Sequence, residues 1–180
     1  MRIIGGKFKG HRFPSHKLNK TRPTTDRAKE SLMNILSHQL DLDGAVVLDL
    51  YSGTGNIAFE FISRGAEDVT VIEANHSAIS YIKAQANSLD VELNILKSQV
   101  LKALPKLNKK YDLIFADPPY NSPDYELLVS RIFELGLLKE GGQLIVEHDS
   151  ARILKHKSFR DSRQYGQSTF SFFTFELNEQ

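Results

Sequence analysis

From Ala45 onward, short apolar runs alternate with longer segments of helical periodicity, and this alternation restricts the chain to few folds. The runs span residues 46–50, 69–73, 93–97, 113–116 and 143–147. Each is β-branched or leucine-rich and apolar almost throughout, as a strand covered on both faces must be. Helices are expected over 56–64, 77–89 and 123–135, the first stopped at Gly65, where glycine can take the left-handed position after a helix end. Strands and helices in this order wind into an α/β domain with a mostly parallel sheet and helices on both faces. Residues 168–175 are β-formers with no helix after them, and are expected as a closing antiparallel strand.

Ahead of the wound region, residues 2–4 and 7–13 could pair as a small hairpin around Gly5-Gly6. Residues 25–40 read as a helix with Thr25 as N-cap, Asp26 in the positive first turn, and Leu32, Ile35, Leu36 and Leu40 on its apolar face. At 180 residues, with 41% hydrophobic composition, one domain over 1–180 is expected to hold both chemistry and binding. The absence of cysteine excludes disulfides, thiolate zinc sites and thiol nucleophiles. No apolar run reaches membrane-spanning length and the first residues do not read as a signal peptide, so a cytoplasmic protein is expected. The six histidines show no metal-ligand spacing, so no metal is expected.

Charge is distributed unevenly. The first 25 residues hold Arg2, Lys7, Lys9, Arg12, Lys17, Lys20 and Arg22 and no acid, so with +1 over the whole chain the remainder stands at −6. A basic arm on an acidic body suits the phosphates of a nucleic acid, although a solvated N-terminus would show the same composition.

Two motifs carry the chemistry. In the first, Val46-Val47-Leu48-Asp49-Leu50-Tyr51-Ser52-Gly53-Thr54-Gly55-Asn56, a buried strand enters a glycine turn and then a helix. Without β-carbons, Gly53 and Gly55 let a ligand lie against the backbone, and the helix start offers free N–H donors. A carboxylate at Asp49 repels a pyrophosphate but accepts the ammonium of a zwitterion such as S-adenosylmethionine. Glu73 ends the second strand 18 residues after Gly55, where a carboxylate takes ribose hydroxyls; that feature fits S-adenosylmethionine and NAD alike.

The second motif, Leu113-Ile114-Phe115-Ala116-Asp117-Pro118-Pro119-Tyr120, is an apolar strand followed by an acid, two prolines and an aromatic. The prolines fix the chain direction and leave carbonyls free to accept. An exocyclic amine on a nucleobase is a poor nucleophile because its lone pair is delocalised. If Asp117 and the Pro118 carbonyl each accept one of its N–H groups, the nitrogen turns its lone pair toward an incoming methyl. Tyr120 would stack on the extruded base.

Together with Arg2-Ile3-Ile4-Gly5-Gly6, Lys9-Gly10, Arg22-Pro23-Thr24, Asp26-Arg27 and Ser63-Arg64-Gly65-Ala66, these motifs make the chain resemble, over nearly its whole length, the bacterial methyltransferases of 16S ribosomal RNA guanine N2, the RsmD family. The resemblance implies a Rossmann-like class I methyltransferase fold and methylation of guanine N2 in small-subunit RNA, the family target being guanine 966. It further implies that Asp49, Tyr51, Gly53, Gly55 and Glu73 serve S-adenosylmethionine, that Asp117, Pro118, Pro119 and Tyr120 receive the base, and that Arg2, Lys7, Lys9, Arg12, Arg22 and Thr24 meet 16S RNA in a small subunit or assembly intermediate. The Arg22-Pro23-Thr24 segment would close over cofactor and substrate. Relatives usually place an aspartate against the adenine where this chain has Gln99, whose amide oxygen could accept the same bond; Tyr51 stands where phenylalanine is commoner. A DNA adenine methyltransferase shares the second motif but not the opening residues, and an RNA-binding assembly factor would keep the fold without turnover.

Overall fold

The computed structural model describes residues 1–16 and 26–176. In chain order it contains α1 (Asp26–Gln39), β1 (Val46–Leu50), α2 (Asn56–Ser63), β2 (Asp68–Glu73), α3 (His76–Leu89), β3 (Asn94–Lys97), α4 (Val100–Ala103) running into a 3-10 turn (Leu104–Lys106), β4 (Tyr111–Ala116), α5 (Tyr125–Glu134), β5 (Leu138–Asp149), β6 (Phe159–Tyr165) and β7 (Ser168–Thr174). The seven strands form one sheet in the order β3-β2-β1-β4-β5-β7-β6. β1 to β5 pair in parallel, whereas β7 runs antiparallel to both β5 and β6.

Side chains alternate across a strand, so each strand feeds two cores. Val47, Val71, Leu113, Phe115 and Ile145 pack with α1, α2 and α3 on one face. Leu48, Leu50, Ile72, Ile114 and Val146 pack with α4 and α5 on the other. The expected α/β architecture is therefore present, with β1 and the parallel direction as read. The expected final strand lies one place inside the edge, because β6 pairs along its outer side. β6, α4 and the 3-10 turn were not foreseen. Among the described residues, no helix is long and apolar enough to cross a membrane.

The N-terminal pairing differs from a tight hairpin on Gly5-Gly6. Arg2 bridges Arg12 antiparallel, and the Gly10 N–H donates to the Ile3 carbonyl at 2.8 Å, so the intervening residues form a wide loop. That loop lies on the last turn of α2. A β-carbon at Gly6 (φ 72°) would sit 1.7 Å from the Ser63 carbonyl oxygen, which accepts the Lys7 N–H at 2.6 Å. The Glu60 carboxylate, wholly buried, accepts the N–H groups of Ile4 (3.0 Å) and Gly5 (2.9 Å) and pairs with the equally buried Lys29 at 3.2 Å. Lys29 also donates to the Arg2 carbonyl and to Asn56 Oδ1 (3.0 Å), so one buried ion pair joins α1, the N-terminal segment and the start of α2. The Thr25 cap lies outside the described residues.

Candidate active site

All five parallel strands deliver their C-terminal ends to one edge of the sheet, where ligands bind in folds of this kind. Asp49 on β1 is 2% exposed, and its Oδ2 has no hydrogen-bond partner. Burial pushes its carboxyl up to about 8, the charge of Glu73 adds to the rise, and hydrogen bonding to Ser52 and the Ala58 backbone opposes it. An oxygen buried without a donor carries a large desolvation cost, which an arriving ammonium would relieve. That unpartnered atom is the test of the expected cofactor, and the residues fit it.

The glycine turn is held from the neighbouring strand. Glu73 Oε2 accepts the Gly53 N–H at 2.8 Å, and its Oε1 accepts the Asn75 N–H at 2.7 Å. Each oxygen keeps a further lone pair for a hydroxyl donor. Gly55 turns left-handed (φ 75°), and a β-carbon there would press on Phe59 and Ile82 at 3.0–3.2 Å. Tyr51 holds φ 59°, a conformation that costs a side-chain-bearing residue about 1–3 kcal/mol. Its hydroxyl is pushed up to about 12 by burial and by the charge of Asp124. Gln99 follows β3 at the same edge as the residue before α4; its side chain is exposed and caps nothing.

The Asp117 N–H donates to the Leu50 carbonyl at 3.3 Å, tying the second motif to β1. Burial pushes its carboxyl well above the usual range, and the charges of Glu147 and Asp49 add to this. Asp49, Asp117 and Glu147 stand at the ends of adjacent strands with the same side-chain parity, so all three face the α1–α3 side. Tyr120 Oη lies 3.2 Å from Ser168 Oγ on β7.

Four residues that sequence reasoning missed hold this turn from behind. Buried Tyr125, the first residue of α5, donates its hydroxyl to the Pro118 carbonyl at 3.0 Å, with the Pro119 carbonyl at 3.4 Å. The Arg152 guanidinium lies 4.3 Å over the Tyr125 ring and reaches the Ser122 carbonyl at 3.4 Å. His148 meets the same ring edge-on at 6.3 Å. Its Nδ1 faces the Asp149 carbonyl at 2.8 Å and so carries the proton, which leaves Nε2 to accept from the Ser171 hydroxyl at 2.8 Å. A tyrosine opening the next helix, six residues after a proline pair, is the signal that could have pointed to the first of them.

The basic residues are spread along a flank. Met1 reaches Thr54 in the glycine turn (3.6 Å), and Arg2, paired with Asp26 at 3.2 Å, lies near the start of α2 beside its bridge partner Arg12. Exposed Lys7 and Lys9 lie in the loop held at the last turn of α2, where the Lys7 N–H donates to the Ser63 carbonyl at 2.6 Å. Arg22 and Thr24 lie outside the described residues.

Known proteins resemble this chain in sequence and in fold. The family model described as "Conserved hypothetical protein 95" matches residues 1–174. The rRNA methyltransferase YlbH of Bacillus subtilis, a name given provisionally, is 32% identical over 154 residues, 83% of either chain. Ribosomal RNA small subunit methyltransferase D of Buchnera aphidicola is 30% identical over 151 residues, 83% of this chain and 76% of its own. An Escherichia coli structure described provisionally as the methyltransferase yhhF superposes with a TM-score of 0.86 over 98% of both chains at 24% identity, a likeness of fold.

Proposed function

The chain belongs to the family described as Conserved hypothetical protein 95, and from that premise we propose that it is an S-adenosylmethionine-dependent methyltransferase of small-subunit ribosomal RNA acting on guanine N2. The observation that carries the chemistry is the buried, unpartnered Asp49 oxygen on the strand next to the rigid Asp117-Pro118-Pro119 turn. Asp49 would take the cofactor ammonium, Gly53 and Gly55 its flank, and Glu73 its ribose hydroxyls. Bound there, the cofactor supplies a methyl group on an electrophilic sulfonium.

The protein's own groups prepare the nucleophile. Asp117, as carboxylate, accepts one amino N–H, and the Pro118 carbonyl accepts the other. Tyr125 already occupies one lone pair of that carbonyl, which fixes its direction and leaves the second free. With both protons held, the nitrogen lone pair leaves the ring plane. Methylation releases a proton, and a carboxylate whose affinity for protons has been raised by burial is suited to take it.

The deciding experiment offers labelled methyl donor and undermethylated small subunits to the purified protein, compares particle with naked RNA, and maps the modified base. Label on guanine N2 is expected. Label on duplex DNA adenine, or cofactor binding with no transfer to any RNA, would overturn the reading.

A further inference from the structure

The N-terminal arm packs on the α1–α3 face of the sheet through Ile3 and Phe13. On the opposite face, the connection from β5 to β6 leaves the active edge at Asp149 and descends to Phe159, which pairs with Phe173 at the far end of β7. Between those residues stand Arg152, Lys155 and Lys157 and no acid.

Its side chains are sorted by anchoring. Leu154 is buried in the α4–α5 core. The His156 ring stacks on Phe133 of α5, with centroids 4.6 Å apart. These two anchors turn the residues between and beside them outward: Ile153 is 78% exposed, and Lys155 and Lys157 are exposed. Ile153 follows Arg152, whose guanidinium touches the Tyr125 ring and the Ser122 carbonyl behind the catalytic turn. The connection thus presents an aliphatic side chain within a cationic row that holds no acid, a pairing able to meet both the phosphates and a base or ribose of an RNA strand.

We propose that residues 150–158 form a second RNA-contacting surface, in which Lys155 and Lys157 hold backbone phosphates and Ile153 lies against an unpaired base or ribose beside the target. The RNA then straddles the sheet edge, gripped by the arm on one face and by this connection on the other. The inference rests on the proposed function for the identity of its ligand.

The test measures binding of unmodified small-subunit RNA against salt for four proteins: wild type, Lys155→Ala/Lys157→Ala, Ile153→Ala, and a control, Lys83→Ala/Lys106→Ala, that removes the same charge elsewhere. Calorimetry of S-adenosylmethionine binding verifies that each is folded. The paired connection variant should lower the slope of log affinity against log salt by about two units, and the control by less than one. Ile153→Ala should weaken binding about fivefold or more with the slope unchanged, as loss of an uncharged contact requires. An unchanged slope in the connection variant, or an equal drop in the control, overturns the proposal while wild-type methyl transfer keeps the function intact. A wild type that binds and methylates no RNA overturns both.

Discussion

Asp49 shows how one carboxyl can be read through its protonation. The fold holds its proton up to about 8 against an ordinary 3.8, so the native state binds more protons than the unfolded chain between those values, and stability falls as pH rises through that window. Asp49→Asn keeps the shape without the charge. It should raise the melting temperature of the cofactor-free protein near pH 8 and leave it nearly unchanged at about pH 4; equal shifts at both would contradict the assignment. An ammonium ligand demands the ionised form, so binding should release a proton below pH 8, measurable by calorimetry in buffers of differing ionisation enthalpy, and the Asp49→Asn variant should show no such release. For Asp117→Ala, near-normal cofactor binding is expected with turnover lower by about 10²–10⁴-fold. Tyr125→Phe removes only the hydroxyl that aims the Pro118 carbonyl; kcat should fall about tenfold with the cofactor dissociation constant unchanged. Asp49 and Asp117 were legible as candidates because a carboxylate at or next to the end of an apolar strand has few structural reasons to be there. Tyr125 and Arg152 were not, since an aromatic opening a helix and an arginine in a loop read as packing and surface until the fold sets one above the other.

Among the elements, the parallel strands were legible because burial on both faces writes itself as uninterrupted apolar sequence. β6 was illegible for the opposite reason: six of its seven residues are exposed, and pairing with β7, not composition, makes it a strand. The N-terminal loop escaped because its partners are 55 or more residues away, on α2. Lys29 did leave a trace, standing three and four residues before Leu32 and Met33 on the apolar stripe of α1, where a solvated lysine has no place. Lys29→Met would leave the buried Glu60 only Arg64, at 3.2 Å, as a cation and should cost about 3 kcal/mol in urea unfolding. A loss below about 1 kcal/mol would mean that the pair is dispensable.

At the scale of the whole molecule, the Lys29–Glu60 pair joins the N-terminal arm to the start of α2, the helix that follows the glycine turn. Neutralising Lys7, Lys9 and Arg12 together should weaken RNA binding and reduce its salt slope by about three units, since each phosphate contact contributes about one. An unaltered slope would place the contact elsewhere. The sheet's outer margins have a consequence of their own. One margin is β3, only four residues long; the other is β6, studded with Arg160, Asp161 and Arg163. Neither offers a foreign strand a long, flat, greasy template, so the polypeptide should stay dispersed when concentrated, and swapping those three charges for valine would invite fibrils.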